Sequence, residues 1–577
     1  MGETMSRDID RRAFLKAAGG TAAAATLAGC AADPDESGTG TEDTTDTQTN
    51  GGETDEETTE TDGEDTTTLT FARGNTSGTL DPQNSTSGED VKVTNQVYDQ
   101  LIMFEPGKTS LREGLATDWS LEGTTVTLTL REDVTFHNGE EFTADDVVAT
   151  FNRFTNPDYE HYPGDKYISA YGPFTLGNWV KSVSKDGDYA LTIQLKQKYA
   201  PFLRNLAMFA SSILSEKAIK ELGQDLSKEP VGTGPFEFEN WDTSNQQIRL
   251  SANTDYWGEV PKVDEVVFTS VGSNTTRAQT LDSGGADIID GLGAQASKIV
   301  ENSSNAKLVS KAGINVGYMA FNMAKVEAFR NKKVRQAISY AINTEALVNN
   351  IFKGIAEQAS QPIPSNVFGY NDDLSPYPQD LEKAKSLLEE AGYGDGFSFE
   401  LATFKNPRTY NPSPLSAAQL VKSNLAELGI EVSINQQSFN PFLDYTNSGK
   451  HDACFLGWMT DNADPDNFFY ALLHPQVEDS EFTEGEDWVS FDSKGYNTLN
   501  AAGWANRDYM QLVEDAQTTY DKETRAEKYK QAAKVAHEEA PWVFLDHAKE
   551  LRGVSNKVSG FVLAPISGPF LNLVSLD

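Results

Sequence analysis

Two short phrases carry the residue types that could do chemistry. In Asn406-Pro-Arg-Thr-Tyr-Asn-Pro412 one arginine, Arg408, sits in a proline-flanked loop beside Tyr410. In Gly457-Trp-Met-Thr-Asp-Asn-Ala-Asp-Pro-Asp-Asn-Phe-Phe469 three aspartates, Asp461, Asp464 and Asp466, surround Pro465 just past an apolar run. Read alone, Arg408 is a surface arginine, Trp458 a core residue, and the aspartates are turn residues or a calcium loop. The proline, and the lack of the glycine that an EF-hand needs for its sharp turn, argue against calcium. Capping of a turn or helix suits Asp464 and Asp466 better.

No constellation for covalent or metal chemistry accompanies them. His137, His161, His451, His474, His537 and His547 are scattered, with no His-x-x-x-His or Cys-x-x-Cys spacing, so neither a zinc site nor any other cofactor is expected. A hydrolase would show Gly-x-Ser-x-Gly or His-Glu-x-x-His, and neither occurs. Gly107-Lys-Thr109 mimics the end of a phosphate-binding loop, but Ile102 stands where the motif requires its first glycine. No enzyme is expected.

The chain of 577 residues is long enough for two or three packed units. Its net charge of −40, from 47 basic and 87 acidic residues, repels nucleic acid and anionic lipid alike. Residues 31–67 hold 14 of the acids and the first thirty residues carry about +1, which leaves roughly −27 on the body. An acidic excess spread over a whole body is the composition of a protein soluble in strong brine, and the expected source is a salt-adapted archaeon. No stretch of about 18 apolar residues exists to span a membrane.

The first thirty residues read as processing signals. Arg11-Arg12 precedes a weakly apolar, Ala- and Gly-rich run and resembles a twin-arginine export signal. Leu27-Ala28-Gly29-Cys30 resembles a lipobox, which implies lipidation at Cys30 and a membrane anchor through that lipid alone. Residues 31–67 contain almost only Thr, Asp, Glu and Gly. With nothing apolar to bury they form an expected disordered tether. Cys454, within Ala-Cys-Phe-Leu, is then a lone thiol and a small core residue.

From Leu69 onward strands and helices alternate. Val126, Leu128 and Leu130 alternate with polar residues as a half-buried strand does, and so do Leu191, Ile193 and Leu195. Thr143-Ala-Asp-Asp146 carries a capping signature for a helix continued by Val147, Phe151 and Phe154. A longer helix is expected from about Lys333 to Ile351, ended by Gly354. Another runs from Leu415 to Leu428, is stopped by Gly429, and leads into a strand at Ile430–Ile434. This order argues an α/β architecture.

A run of phrases now identifies a resemblance. They are Thr79-Leu-Asp-Pro82, Val97-Tyr-Asp-Gln-Leu101, Leu130 to Gly139, Phe142 to Val148, Gly232-Thr-Gly-Pro-Phe236, Ala320-Phe-Asn322, Val334 to Asn343 and Ala384 to Tyr393. In this order they resemble the family 5 extracellular solute-binding proteins of peptide- and nickel-type ABC importers, over nearly the whole chain after residue 68. The resemblance implies a two-lobe, type II periplasmic-binding-protein fold with an extra domain inserted in lobe I. Lobe I is expected from 68–98, 230–318 and 545–577, the inserted domain from 99–229, and lobe II from 319–544. It implies a receptor on the outer face of the cell membrane, a monomer that closes on its ligand and docks on a permease driven by a cytoplasmic ATPase.

The two opening phrases are similar to stretches of bacterial dipeptide-binding proteins. By that likeness Arg408 holds the peptide carboxylate and Asp461 its α-amino group. The assignment is physically apt: a guanidinium grips a carboxylate through two parallel bonds, and an ionised aspartate accepts from an ammonium. Gly457 and Met459 would pair with the ligand through their backbones, as an added strand does. Trp458 and Tyr410 would wall the pocket. Thr86-Ser87-Gly88 matches a triplet expected to meet the ligand from lobe I. A short peptide, most plainly a dipeptide, is the expected ligand. An oligopeptide, a nickel chelate and an oligosaccharide are the alternatives within the same fold.

Overall fold

The computed structural model describes residues 66–577 apart from Ala170 and Asn406. The export signal, Cys30 and all but the end of the acidic tether lie outside the described residues. Thr67, expected in the tether, already donates its amide to Asp264 (2.7 Å).

One strand organises the body. Trp542–Ser555, fourteen residues long, pairs at its start with Asn315–Phe321 and at its end with Ala306–Ala312 and Ile288–Ile289. It therefore belongs to two half-sheets at once. The first half-sheet continues through Thr68–Arg73, Glu265–Ser270, Gln247–Ala252 and Phe236–Asp242. The second continues from Asn315–Phe321 through Ala453–Met459 and Ser398–Phe404 to Glu431–Gln437. In each half the inner strands run parallel: Thr68–Arg73 beside Glu265–Ser270 and Ile288–Ile289, and Ser398–Phe404 beside both Glu431–Gln437 and Ala453–Met459. This is the mixed α/β, type II arrangement expected. The boundaries expected at 318/319 and 544/545 fall inside Asn315–Phe321 and Trp542–Ser555, because the residues that join the halves are themselves strands.

Local expectations hold where capping chemistry is explicit. Thr143 and Asp146 form the reciprocal cap of the helix Ala144–Thr155, whose Val147, Phe151 and Phe154 are buried. Leu128 lies opposite Leu191 in a separate antiparallel sheet of Ala116–Glu122, Thr125–Leu130, Ala190–Leu195 and Val180–Lys185. The helix Pro414–Ala426 ends before Gly429, which takes a left-handed φ of 73°, and the strand Glu431–Gln437 follows. Cys454 is fully buried.

The long helix expected from Lys333 to Ile351 is broken. It ends at Ala341, Ile342 turns to extended backbone, and the side chain of Asn343 accepts from the amide of Ala346 (2.7 Å) to start a new turn. An asparagine side chain that caps competes with helix continuation, and here the cap prevails.

The segment 99–229, expected as an insert in lobe I, contributes to both buried clusters of the body. Val126, Leu128 and Ile193 share one continuous buried cluster with Val316, Leu401 and Phe455, whereas Leu69, Phe71 and Phe268 belong to another. Ala149, Leu214, Ile219 and Leu226 of the same segment belong to the cluster of Leu69, Phe71 and Phe268, and a polar pair adds to that link. Arg153 of the capped helix and Asp81 pair at 2.7 Å with both side chains wholly buried, and Tyr167 adds a bond to the same carboxylate (2.9 Å). Removing one member of such a pair leaves an uncompensated buried charge. Asp81→Ala is expected to lower the unfolding free energy by about 3–5 kcal/mol, measured by denaturant unfolding in molar salt.

Candidate functional site

Arg408 and Asp461 stand in loops that follow Ser398–Phe404 and Ala453–Met459. Those strands are parallel neighbours, so both loops leave the same edge of the sheet, past the carboxyl ends where open α/β sheets bind ligands. The recorded pairing of the two strands stops at Ala402 with Cys454, while the pairing of Ala453–Met459 with Asn315–Phe321 continues to Met459. From Phe455 to Met459 the edge facing Ser398–Phe404 has no strand partner among the described residues.

The Arg408 loop is a tight hairpin. Arg408 and Asn411 exchange both backbone bonds at 3.0 Å. The guanidinium is half-buried, with its carbon 3.6 Å from the centroid of Phe439, and burial pushes its pKa down. Tyr410 is buried, and its ring lies on Gly457: a β-carbon there would come within 2.2 Å of ring atoms. Its carbonyl covers Gly317, directly opposite Gly457 in the sheet, where a β-carbon would meet it at 2.6 Å. The paired glycines thus make the flat floor that seats the arginine loop.

Trp458 does not share that floor. Successive side chains on a strand point to opposite faces, so Trp458 lies on the face away from Tyr410. Its indole N–H donates to Asn467 (2.8 Å). Tyr410 and Trp458, both expected to wall the pocket, therefore stand on opposite faces of the strand.

The three aspartates have three different surroundings. Both oxygens of Asp464 are gripped by Arg525 at 2.7 Å, and the Arg204 Nε stands 3.6 Å away. Asp466 opens the helix Asp466–Leu473 and accepts from Gln517; burial, then the neighbouring Asp464, push its pKa up to about 7. With Asp464 given over to arginines, the calcium-loop reading has no ligand set. Asp461 is the exception. It accepts one bond, from the hydroxyl of Tyr171 (2.8 Å), and burial pushes its pKa up to about 6. No described lysine or arginine offsets that burial.

Tyr171 was not legible beforehand. It comes from the 99–229 segment and packs edge-on against Phe209 (4.9 Å). Thr86, Ser87 and Gly88 begin the helix Gly88–Val97, where the Ser87 hydroxyl accepts from the amide of Glu89 (3.2 Å). Among the described residues no hydrogen bond joins this triplet to Arg408 or Asp461, and capping is the role it displays.

Residues 110–480 match the family described as bacterial extracellular solute-binding proteins, family 5. A dipeptide-binding protein of Escherichia coli is 31% identical over 526 residues, 88% of this chain and 95% of the relative. Heme-binding protein A of Haemophilus influenzae is 32% identical over 496 residues, 84% of this chain and 87% of the relative. The solved periplasmic binding protein DppA of Helicobacter pylori, in complex with the peptide STSA, superposes with a TM-score of 0.69 at 32% identity, covering 88% of this chain and 98% of that one.

Gly457→Ala is expected to lift Tyr410 from the sheet and to cost about 1–3 kcal/mol of stability, measured by denaturant unfolding; an unchanged midpoint would show that the ring has room to move.

Proposed function

The chain belongs to the bacterial extracellular solute-binding proteins of family 5, and on that premise we propose that it receives short peptides, dipeptides above all, for an ABC importer. It is a binding protein of the peptide-receptor type and not an enzyme. In the proposed site Asp461 takes the α-amino group, Arg408 the carboxylate, and the open edge at Gly457 and Met459 the peptide backbone. Tyr171, from the opposite side, shares the Asp461 carboxylate with the amine. Residues 68–98, 230–318 and 545–577 form the proposed first lobe and 319–544 the second.

A single contrast carries this reading. Within one loop, Asp464 is wholly buried with two arginines, whereas Asp461 is half-buried, with a tyrosine hydroxyl and no cation beside it. Removing a carboxylate from water costs several kcal/mol unless a positive group meets it. Asp464 has that group within the fold. Asp461 is left to find it in a ligand, and an ammonium on a peptide that adds along the neighbouring strand edge supplies it. Enclosure also protects the pairing in brine, where a Debye length of about 3 Å at 1 M leaves exposed pairs weak.

Calorimetric titration in multimolar salt tests the two-ended site. Dipeptides should bind, and N-acetylated dipeptides and dipeptide amides should each lose about 2–5 kcal/mol. Asp461→Ala should erase discrimination at the amine alone and Arg408→Ala at the carboxylate alone. Only ionised Asp461 pairs with an ammonium, so affinity for free-amine dipeptides should fall as pH drops below about 6. Full-strength binding of doubly capped peptides would remove the peptide assignment and leave the receptor.

The reading extends to the ends of the chain. Export by the twin-arginine route, lipidation at Cys30 and an acidic tether would hold a monomeric receptor at the outer membrane face, within reach of its permease. Cys30→Ala is expected to release the protein into the medium; retention on cells would refute the anchor.

A further inference from the structure

Two segments from different parts of the chain meet where Tyr171 bonds Asp461, and one side chain touches both. Asn205 closes the short helix Phe202–Asn205 and is wholly buried. Its Nδ2 donates to the carbonyls of Phe174 (3.2 Å) and Thr175 (3.1 Å), in the turn that follows Tyr171. Thr175 in turn donates its hydroxyl to the carbonyl of Tyr171 (2.7 Å). On the other side, Asn205 Oδ1 accepts from Asn462 Nδ2 (3.1 Å). Asn462 adjoins Asp461 and ties its own loop, since its Oδ1 accepts from the amide of Asp464 and the hydroxyl of Thr460, both at 3.0 Å.

We infer that Asn205 is a positioning residue for the amine site: it sets the Tyr171 hydroxyl against the Asp461 carboxylate by bonding the turn of one and the loop of the other. The inference rests on the reading of Asp461 as the amine acceptor. The amide suits the task, because it needs donors on one side and an acceptor on the other. A carboxylate of the same shape would keep the bond from Asn462 but face the two carbonyls with lone pairs. The neighbouring Arg204 grips the same loop, through the Asn462 carbonyl (3.4 Å) and near Asp464, and carries the charge balance there. Asn205 carries the alignment. A tyrosine hydroxyl held to one carboxylate oxygen leaves the other oxygen for an ammonium and sets its direction. Loss of the brace therefore weakens recognition of a free amine and leaves the remaining contacts of a ligand unchanged.

The test uses the full-length receptor in molar salt, titrated with alanyl-leucine and with N-acetyl-alanyl-leucine. The ratio of the two affinities is the readout. Asn205→Asp is expected to lower that ratio by about tenfold through weaker binding of alanyl-leucine, with the acetylated ligand unaffected. A wild-type ratio in Asn205→Asp, or a parallel loss for both ligands, overturns the inference and assigns Asn205 to structure. If Asn205→Asp fails to fold, Asn462→Asp removes the donor from the other side of the contact, and the same ratio decides. Absence of any amine preference in the wild type, or its survival in Asp461→Asn, overturns the amine reading itself and the inference with it. Loss of the preference in Asp461→Asn but not in Asn205→Asp overturns the inference alone.

Discussion

A carboxylate removed from water must meet positive charge, and the loop from Thr460 to Asp466 meets that demand in two ways. Asp464 is answered inside the protein by Arg525 and Arg204. Asp461, three residues earlier on the same loop, is answered only by a tyrosine hydroxyl. The first arrangement makes the second possible. Once its base is locked by a bidentate guanidinium, the loop can hold an uncompensated carboxylate without collapsing around it. On the proposed reading, a ligand with an ammonium supplies the charge that Asp461 lacks.

The sheet supplies the other half of the constraint. Because Trp542–Ser555 runs through both half-sheets, the carboxyl ends of the parallel strands in each half are fixed relative to one shared strand. Loops that leave those ends hold the proposed site without any dedicated scaffold. The opposed glycines Gly317 and Gly457 then let the Arg408 loop lie flat on the sheet through Tyr410. Charge enters from loops, alignment from strands. That division suits a protein of net charge −40. Its surface electrostatics are screened in brine, whereas contacts closed to solvent keep their strength.

The 99–229 segment packs on both half-sheets. Leu214 and Ile219 join the cluster of Leu69 and Phe71, where Arg153 also pairs with Asp81, while Val126 and Ile193 join the cluster of Val316 and Leu401. Tyr171, Arg204 and Asn205 reach the Asp461 loop from it. A segment that touches both halves is placed to set the geometry between them.

Read alone, the chain determined what depends on local chemistry. Capping at Thr143 and Asp146, the alternation at Val126, Leu128 and Leu130, and the stop at Gly429 are preferences of a few neighbouring residues, and each appears in the fold. Resemblance to the family supplied Arg408 and Asp461 as a pair, but could not say which aspartate the fold itself would neutralise. Tertiary structure decided that, because Arg525 and Arg204 lie far from Asp464 in sequence and meet it only through packing. It also decided the seat of Tyr410 on Gly457 and the arrival of Tyr171. Neither has a local signature. Each depends on which distant surface a side chain faces, and burial is a property of the assembled fold rather than of any run of residues.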